Sequence, residues 1–572
     1  MASDSKLSST EHLKINSQYL RGDISEELGD GTDHFGKDSV NLIKHFGMYQ
    51  QDDRDARGKN RAEGKPGKSF IFMVRTKLPA GDMTSAQFMK ELELCDRFGN
   101  ETLRITSRQG LQYHGIHKDN VSQLLREMEE VGLTSLGACG DVNRNVMCCP
   151  APFKNNGLHD QIQALSRELA EHFAPRTPAY REVFLKDPET GEQEKIATGE
   201  PVEPLYGQQY LPRKFKMGIA LPEDNCIDVY TQDLGFIAIH ENGKVMGYNI
   251  LVGGGQGRTP SAEKTFPALG QMMTYVTPDQ ALAVAEAIVK VQRDFGNRED
   301  RKLARMKYLI HEWGLPKFKA KVEEYFGSSL PEPHPTDVHD FDDHKGWSEQ
   351  GDGNWFYGLN IENGRILDAG DFRLKTAIRE ICTTFNPGVH LTSHQDVIFS
   401  GIAPDQKSAF EAILAKHNVK RSEDISLVRN WSMACVAWPT CGLSITESER
   451  ALPGIMDQLE PILEDLGLAD EKFTVRMTGC PNGCARPYNC DIGLVGRAKD
   501  KYTLFLGGRL LGNRLNFIYK DMVLAEDVAP ELAKVFTLFK QQREPGESLG
   551  DFCHRLGAEQ LLAAADVAAP ST

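Results

Sequence analysis

The chain has 572 residues, 40% of them hydrophobic and 26% charged, with a formal net charge of −15 at pH 7. That length exceeds what one core supports, so roughly three to five domains or subdomains are expected. The acid excess argues against a nucleic-acid binder, and twelve cysteines in so long a chain make no disulfide scaffold.

The start, Met1-Ala-Ser-Asp-Ser-Lys6, lacks an apolar leader segment. No run of about eighteen apolar residues occurs, so no membrane span and a cytoplasmic location are expected. Residues 1–65 are polar and turn-rich, with the charged run Gln51–Arg57, a composition that favours a solvated tail over an arm wrapped on another surface. Order begins at Ser69, where Phe70, Phe72 and Val74 alternate with Ile71, Met73 and Arg75 as in a strand. Thr84-Ser-Ala-Gln87 reads as a capping box opening a helix, with Phe88, Leu92 and Cys95 on its apolar face. Two short strands near 102–107 and 111–117 follow, then a helix carrying Val121, Leu124, Leu125 and Met128. The fold class is therefore α+β.

Thr277-Pro-Asp-Gln280 is a second capping box, starting a helix through Leu282, Ala285 and Ile288 that stops at Gly296. Residues 299–326 also read as helical. A Pro- and Asp-rich linker, about 328–345, then divides the chain.

The two halves repeat one another. Arg104-Ile-Thr-Ser-Arg-Gln109 and Gly115 recur as His390-Leu-Thr-Ser-His-Gln395 and Gly401, 286 positions on. Lys214-Phe215, Asp233 and Gly235 recur as Lys472-Phe473, Asp491 and Gly493 at 258. The order is kept and the offset changes only between blocks, which points to two copies of one module about a pseudo-twofold axis.

The copies differ in chemistry. The second carries Cys435-x5-Cys441 and Cys480-Pro-Asn-Gly-Cys484, four thiols in two short clips that suit an Fe–S cubane better than zinc. The offsets carry Cys480, Cys484 and Cys435 onto Pro222, Cys226 and Pro150. One leftover thiol holds no cluster, so a metal is expected in the second copy only. Cations run the other way: Arg75, Arg108 and Lys216 map to Ile361, His394 and Thr474, while Arg144 and Lys214 keep a cation. The cationic loops of copy one should meet the cluster loops of copy two across a cavity for a polyanion and its reducible substrate. Gly253-Gly-Gly-Gln-Gly257 and Gly507-Gly508 do not fit a dinucleotide fingerprint and read as close approaches of backbone to a large cofactor, or tight turns.

The two cysteine clips, with Thr106-Ser-Arg-Gln109, Asn143-Arg-Asn-Val146 and Tyr210-Leu-Pro-Arg-Lys-Phe-Lys216, resemble the sirohaem-dependent sulfite and nitrite reductases. The likeness is strongest to the haemoprotein (beta) subunits of the assimilatory sulfite-reducing branch. It runs from Leu20-Arg-Gly22 to about residue 545. It implies ferredoxin-like half-domains, a [4Fe–4S] cluster on Cys435, Cys441, Cys480 and Cys484, and a sirohaem whose iron takes Cys484 as a bridging axial ligand. Arg108 and Asn482 would lie beside the cofactors, and Arg75, Arg144, Lys214 and Lys216 around the substrate anion. The implied reaction is six-electron reduction of sulfite to sulfide, as in sulfate assimilation and cysteine biosynthesis. Nitrite reduction to ammonia is the alternative, disfavoured by Lys216 because nitrite members tend to carry Asn there. Electrons would come from a partner protein. Gln51-Asp-Asp-Arg54 looks like the NADPH-flavoprotein-coupled type, and Leu136-Gly-Ala-Cys-Gly-Asp141 like the ferredoxin-coupled type.

On this reading the chain divides into an arm (1–65), a half-domain (66–135) and a cation-bearing sirohaem domain (136–327) of copy one, and the linker (328–345). A second half-domain (346–420), a sirohaem/[4Fe–4S] domain (421–545) and a tail (546–572) follow.

Overall fold

The alternating run after Ser69 forms the strand Phe70–Arg75, and Thr84 with Gln87 closes the expected capping box. The Gln87 amide donates to Thr84 Oγ1 at 3.2 Å and the Thr84 amide to Gln87 Oε1 at 2.9 Å. Helix Ser85–Phe98 follows, its face of Phe88, Leu92 and Cys95 fully buried. This computed structural model describes residues 7–65, 67–177, 183–186, 193–197, 202–259 and 262–567. The leader-free start read at Met1–Lys6 lies outside them.

The first half-domain sheet runs, in order, Met48–Asp52, Phe70–Arg75, Leu111–Ile116, Leu103–Ile105 and Arg365–Ile366. The second runs Gly346–Glu349, Trp355–Leu359, Val397–Ile402, Gly388–Leu391 and Asp82–Thr84. The two orders are the same, and each sheet takes its last edge strand from the other copy.

The larger sheets repeat just as closely. In copy one Asn143–Cys148, Phe215–Ala220 and Leu234–Glu241 are parallel neighbours, and Lys244–Val252 and Gln271–Val276 add antiparallel. In copy two Ser432–Ala434, Val475–Thr478 and Ile492–Ala498 are parallel, followed by antiparallel Lys501–Leu506 and Phe517–Leu524. The register corrects one equivalence. Met147 pairs with Gly218 and Met433 with Arg476. Gly218 and Arg476 are 258 apart, so Met147 matches Met433 and Cys435 falls on Cys149 rather than Pro150. Copy one therefore keeps two thiols at these positions, not one.

Three stretches depart from the sequence reading. Residues expected as a solvated tail form helices Ser9–Asn16, Ile24–Leu28 and Arg54–Ala62 and a strand, with Leu20, Phe35, Leu42 and Ile43 buried in the main core. These few apolar anchors outweigh a polar average. The run 299–326 contains two helices, Met306–Trp313 and Leu315–Phe326, divided by Gly314 at φ +76°. After residue 546 the chain is helical over Leu549–Val567, broken into two stretches at Gly557 (φ +72°), rather than a tail, and Leu549, Phe552, Cys553 and Leu561 enter the core of the second copy's cluster domain. Among the described residues no helix is long and apolar enough to cross a membrane.

Candidate redox site

Strands Ser432–Ala434 and Val475–Thr478 lie side by side and parallel, with Ala434 opposite Met477. Both leave the sheet at its carboxyl end, where open parallel sheets present their ligand loops. Cys435 and Cys441 come from the first exit loop and Cys480 and Cys484 from the second. The loops touch through Gly479, whose amide donates to Cys435 Sγ at 3.4 Å. A Cβ there would stand 2.5 Å from Ala437 Cβ and from Thr446 O, so a larger residue would part the clips. Gly483 turns the second clip at φ +64°. Asn482 Nδ2 reaches Cys480 Sγ at 3.4 Å.

Burial and the neighbouring sulfurs push the Cys435 and Cys480 thiols up, Cys480 to about 12. Burial and Cys484 do the same to Cys441. Thiols that raise one another lie close together, and a metal reverses the effect by taking them as thiolates. Of the four, Cys484 is the exposed one.

The cations of copy one gather opposite. Arg75 ends its strand, with Nη1 on Cys139 Sγ at 3.0 Å, and feels the charges of Cys484 and Cys441. Arg144 is fixed by Nε on Gly140 O at 2.9 Å and Nη1 on Ala138 O at 3.1 Å. Arg108 donates to Gln232 Oε1 at 2.7 Å and to Asn145 O, and burial with Arg144 lowers it to about 9. Lys214 and Lys216, two apart at a strand start, share a face. Burial, then Arg213 and Arg305, bring Lys214 down to about 7, while Cys484 pulls the other way. Lys216 is pushed well down by burial, Arg108 and Lys214. Arg75 and Lys214 feel Cys484 directly, and Arg108, Arg144 and Lys216 are linked to Lys214 or to one another by mutual repulsion.

Ser107 Oγ donates to Cys484 O at 2.8 Å, and Ser393 Oγ donates to Cys226 O. Both pairs are related by the repeat offsets, so these contacts mark the pseudo-twofold axis. The glycine-rich stretch approaches the second cysteine clip. A Cβ on Gly257 would meet Asn482 O at 2.9 Å, and the Arg258 amide donates to Pro481 O at 3.0 Å. Lys307 holds that stretch through Gly255 O at 3.0 Å and Gly257 O at 2.8 Å.

The sequence reading passed over several residues here. Arg486 donates to Ser107 O at 2.8 Å, Ser393 O at 3.1 Å and Asp228, joining both copies. Arg305 clamps Asp233, which accepts the Lys216 amide at 3.0 Å. Arg54, in the arm, donates to the carbonyls of Pro439, Cys441 and Ser444 at 2.8, 2.7 and 3.1 Å and lies 3.6 Å over the Trp438 ring. The repeat could have found Arg486, which stands 258 positions after Asp228, but a search for matching residue types skips a pair of opposite charge.

The residues present fit the cofactors named from the sequence. Four thiols on two adjoining strand ends are the donor set of a cubane cluster. Arg75 Nε, Arg108 Nε and Arg258 Nε are buried without hydrogen-bond partners, and Arg108 lies near Lys216, whose charge is disfavoured, so an anionic macrocycle would relieve them.

Two family models match the chain. The nitrite and sulphite reductase 4Fe-4S domain covers residues 139–330 and 426–570, and the nitrite/sulfite reductase ferredoxin-like half domain covers 63–131 and 348–417. The chain belongs to the nitrite and sulphite reductase family. Among relatives in this family, "Sulfite reductase [ferredoxin]" of Synechococcus elongatus is 42% identical over 98% of this chain and 91% of its own. "Sulfite reductase [NADPH] hemoprotein beta-component" of Staphylococcus haemolyticus is 40% identical over 97% and 96%, and its Shewanella loihica namesake 42% over 98% of each. The solved structure of the Mycobacterium tuberculosis NirA protein superposes with a TM-score of 0.80 at 25% identity, covering 97% of both chains. This reductase thus has the α+β fold and twofold module repeat expected of it.

Proposed function

We infer that the chain is the haemoprotein of a sulfite reductase, carrying six-electron reduction of sulfite to sulfide. The observation that supports this is the clip of four thiols in one copy near a partly buried group of cations in the other, of which Arg75 and Lys214 feel Cys484. Cys435, Cys441, Cys480 and Cys484 would hold the [4Fe–4S] cluster, and the exposed Cys484 is the thiol placed to reach a sirohaem as well. When bound, the coupled pair supplies electrons one at a time at a metal that binds the substrate's sulfur.

The chain's own residues do the rest. Arg75 and Arg144, each fixed by its other donors, would hold sulfite oxygens and stabilise charge as S–O bonds break. Lys214, a compact ammonium near Cys484, would give a proton to departing oxygen. Lys216 adds a second such group on the same strand face. Arg108 and Asn482 lie one step back, toward the macrocycle's carboxylates and the cluster respectively. Electrons must come from a partner protein. Relatives are named both for ferredoxin and for NADPH, and we propose one of these two donor types, a ferredoxin or an NADPH flavoprotein.

The test is viologen-driven turnover of the cofactor-loaded protein with sulfite and nitrite in parallel, which takes the donor out of the question. A higher kcat/KM for sulfite with sulfide as product is expected, and Lys216→Ala should lower it at least tenfold with the haem spectrum retained. A preference for nitrite would move the chain to the other branch and remove the reading of Lys216.

A further inference from the structure

The two thiols that copy one keeps at cluster-equivalent positions do not stand alone. Cys149 follows the strand Asn143–Cys148 and Cys226 lies in the loop after Phe215–Ala220. Asp224 and His344 close on them. All four residues are buried, and their ligand atoms lie within 4.8 Å of one another. This group is separate from the four thiols of copy two and takes no part in the site described above.

Its geometry is that of donors aimed at one point. His344 Nε2 lies 3.2 Å from Cys149 Sγ and 3.0 Å from Asp224 Oδ2. His344 Nδ1 faces Asp342 Oδ2 at 3.4 Å. A neutral imidazole has one N–H, and Nδ1, which makes no hydrogen bond and meets only the Asp342 carboxylate at 3.4 Å, has room to carry it. Nε2 then turns a lone pair toward a carboxylate oxygen and a sulfur, neither of which has a proton to give when ionised. Lone pairs converging in this way repel one another unless a proton or a metal cation lies between them. The Cys226 amide donates to Asp224 Oδ1 at 2.9 Å, leaving Oδ2 to face inward. His159 stands beside Cys149 as a further imidazole at the rim.

We propose that Cys149, Asp224, Cys226 and His344 form a structural zinc site in copy one, at the place where copy two carries its cluster thiols. Two thiolates, one imidazole and one carboxylate make the four-coordinate N/S/O set that zinc prefers. Asp342, 3.4 Å from the far ring nitrogen, is a nearby outer carboxylate of the kind that accompanies such a histidine. Four protein ligands leave no open position, so the role is to hold structure. The site joins two strand-exit loops to the linker between the copies. The linker runs beside the same loop, with the His339 amide on Pro222 O at 2.7 Å and the Asn225 amide on Asp340 O at 3.1 Å. Cys226 O accepts from Ser393 of the second copy, so zinc there would brace the pseudo-twofold interface.

The metal-free alternative is a doubly protonated His344 between Asp224 and a Cys149 thiolate, and it binds no zinc. Elemental analysis and zinc K-edge X-ray absorption on the cofactor-loaded protein, equilibrated with zinc and freed of loose metal, separate the two. We expect about one zinc per chain, with two sulfur scatterers at about 2.3 Å and two lighter ones at about 2.0 Å. Cys226→Ser and His344→Ala should each retain less than a tenth of that zinc while keeping the haem absorption. Absence of zinc from the wild type, or zinc without sulfur ligands, overturns the proposal. Should both variants fail to fold, the sulfur count in the wild type decides alone.

Discussion

Asp228 accepts from Arg476 Nη1 at 2.7 Å, from Arg486 Nε and from Asn489 Nδ2 at 3.2 Å, with all four residues buried. Burial works against its charge, and the two guanidiniums more than offset this, holding its carboxyl below the ordinary value. Replacing it by Asn leaves two buried cations short of their counter-charge. Asp228→Asn should cost about 3–5 kcal/mol in urea unfolding, and a loss under about 1 kcal/mol would show that water reaches this site. Lys214 behaves oppositely. Its pKa in the cofactor-free fold is about 7, below the 10.5 of a free lysine. At pH 7 and lower the fold bears the full burden of the buried charge; as pH rises toward 10.5 that burden is lifted. Cofactor-free protein should therefore gain thermal stability between pH 7 and 10, and Lys214→Met should flatten the gain. An unchanged slope in the variant would assign it to other groups. The lysines and Arg75, Arg108 and Arg144 were readable because a cation in one copy faced a gap or a match in the other. Asp228 and Arg486 were not, since equivalence of position there comes with opposite charge.

The exchanged edge strands belong to the next scale up. Gly81 and Gly364 both sit at φ +75°, just before Asp82–Thr84 and Arg365–Ile366. A Cβ on Gly81 would lie 2.3 Å from Leu391 O, and one on Gly364 2.3 Å from Ile105 O, each a carbonyl of the opposite copy. Gly401 has a similar φ of +78° and open space around it. The dihedral alone should cost Gly401→Ala about 1–2 kcal/mol, whereas Gly364→Ala must also push a swapped strand off its partner. We expect the Gly364 variant to lose at least twice as much as the Gly401 variant in chemical unfolding. Equal losses would mean the exchanged strand is not held by this contact. Nothing in the sequence announces these strands. They are two and three residues long, too short for a period-two pattern, and they pair across more than 250 positions. The capping boxes at Thr84 and Thr277 were readable for the opposite reason, since each is closed by residues three apart.

That exchange also decides how the whole molecule divides. The collinear repeat placed the natural division at the linker, 328–345, and the sheet orders bear out two copies. The apolar cores divide elsewhere. One runs from Leu20 to Val419, taking in copy one and the half-domain of copy two, and the other from Val428 to Leu561. Half-domains that trade edge strands must share a core, which no pattern within either copy could reveal. The loops beside the second core carry all four cluster thiols, and polar contacts help join it to the first. Glu449 accepts from Arg104 at 2.8 Å and from Arg365 at 2.6 and 3.0 Å, and Asp228 reaches across to Arg476 and Arg486. Thiols on one body and cations on the other mean that cofactors bound between them add their binding free energy to the junction. Without cofactors the two cores are coupled by these ion pairs, by the backbone hydrogen bonds of Arg54 and Arg486 and by a few loop contacts, and a chain with two cores need not unfold in one step. Hydrogen exchange of the cofactor-free protein should show residues 428–567 opening as a unit before 70–419, and the loaded protein should show the two protected alike. Equal protection without cofactors would mean that the protein's own contacts make the junction as strong as the cores it joins.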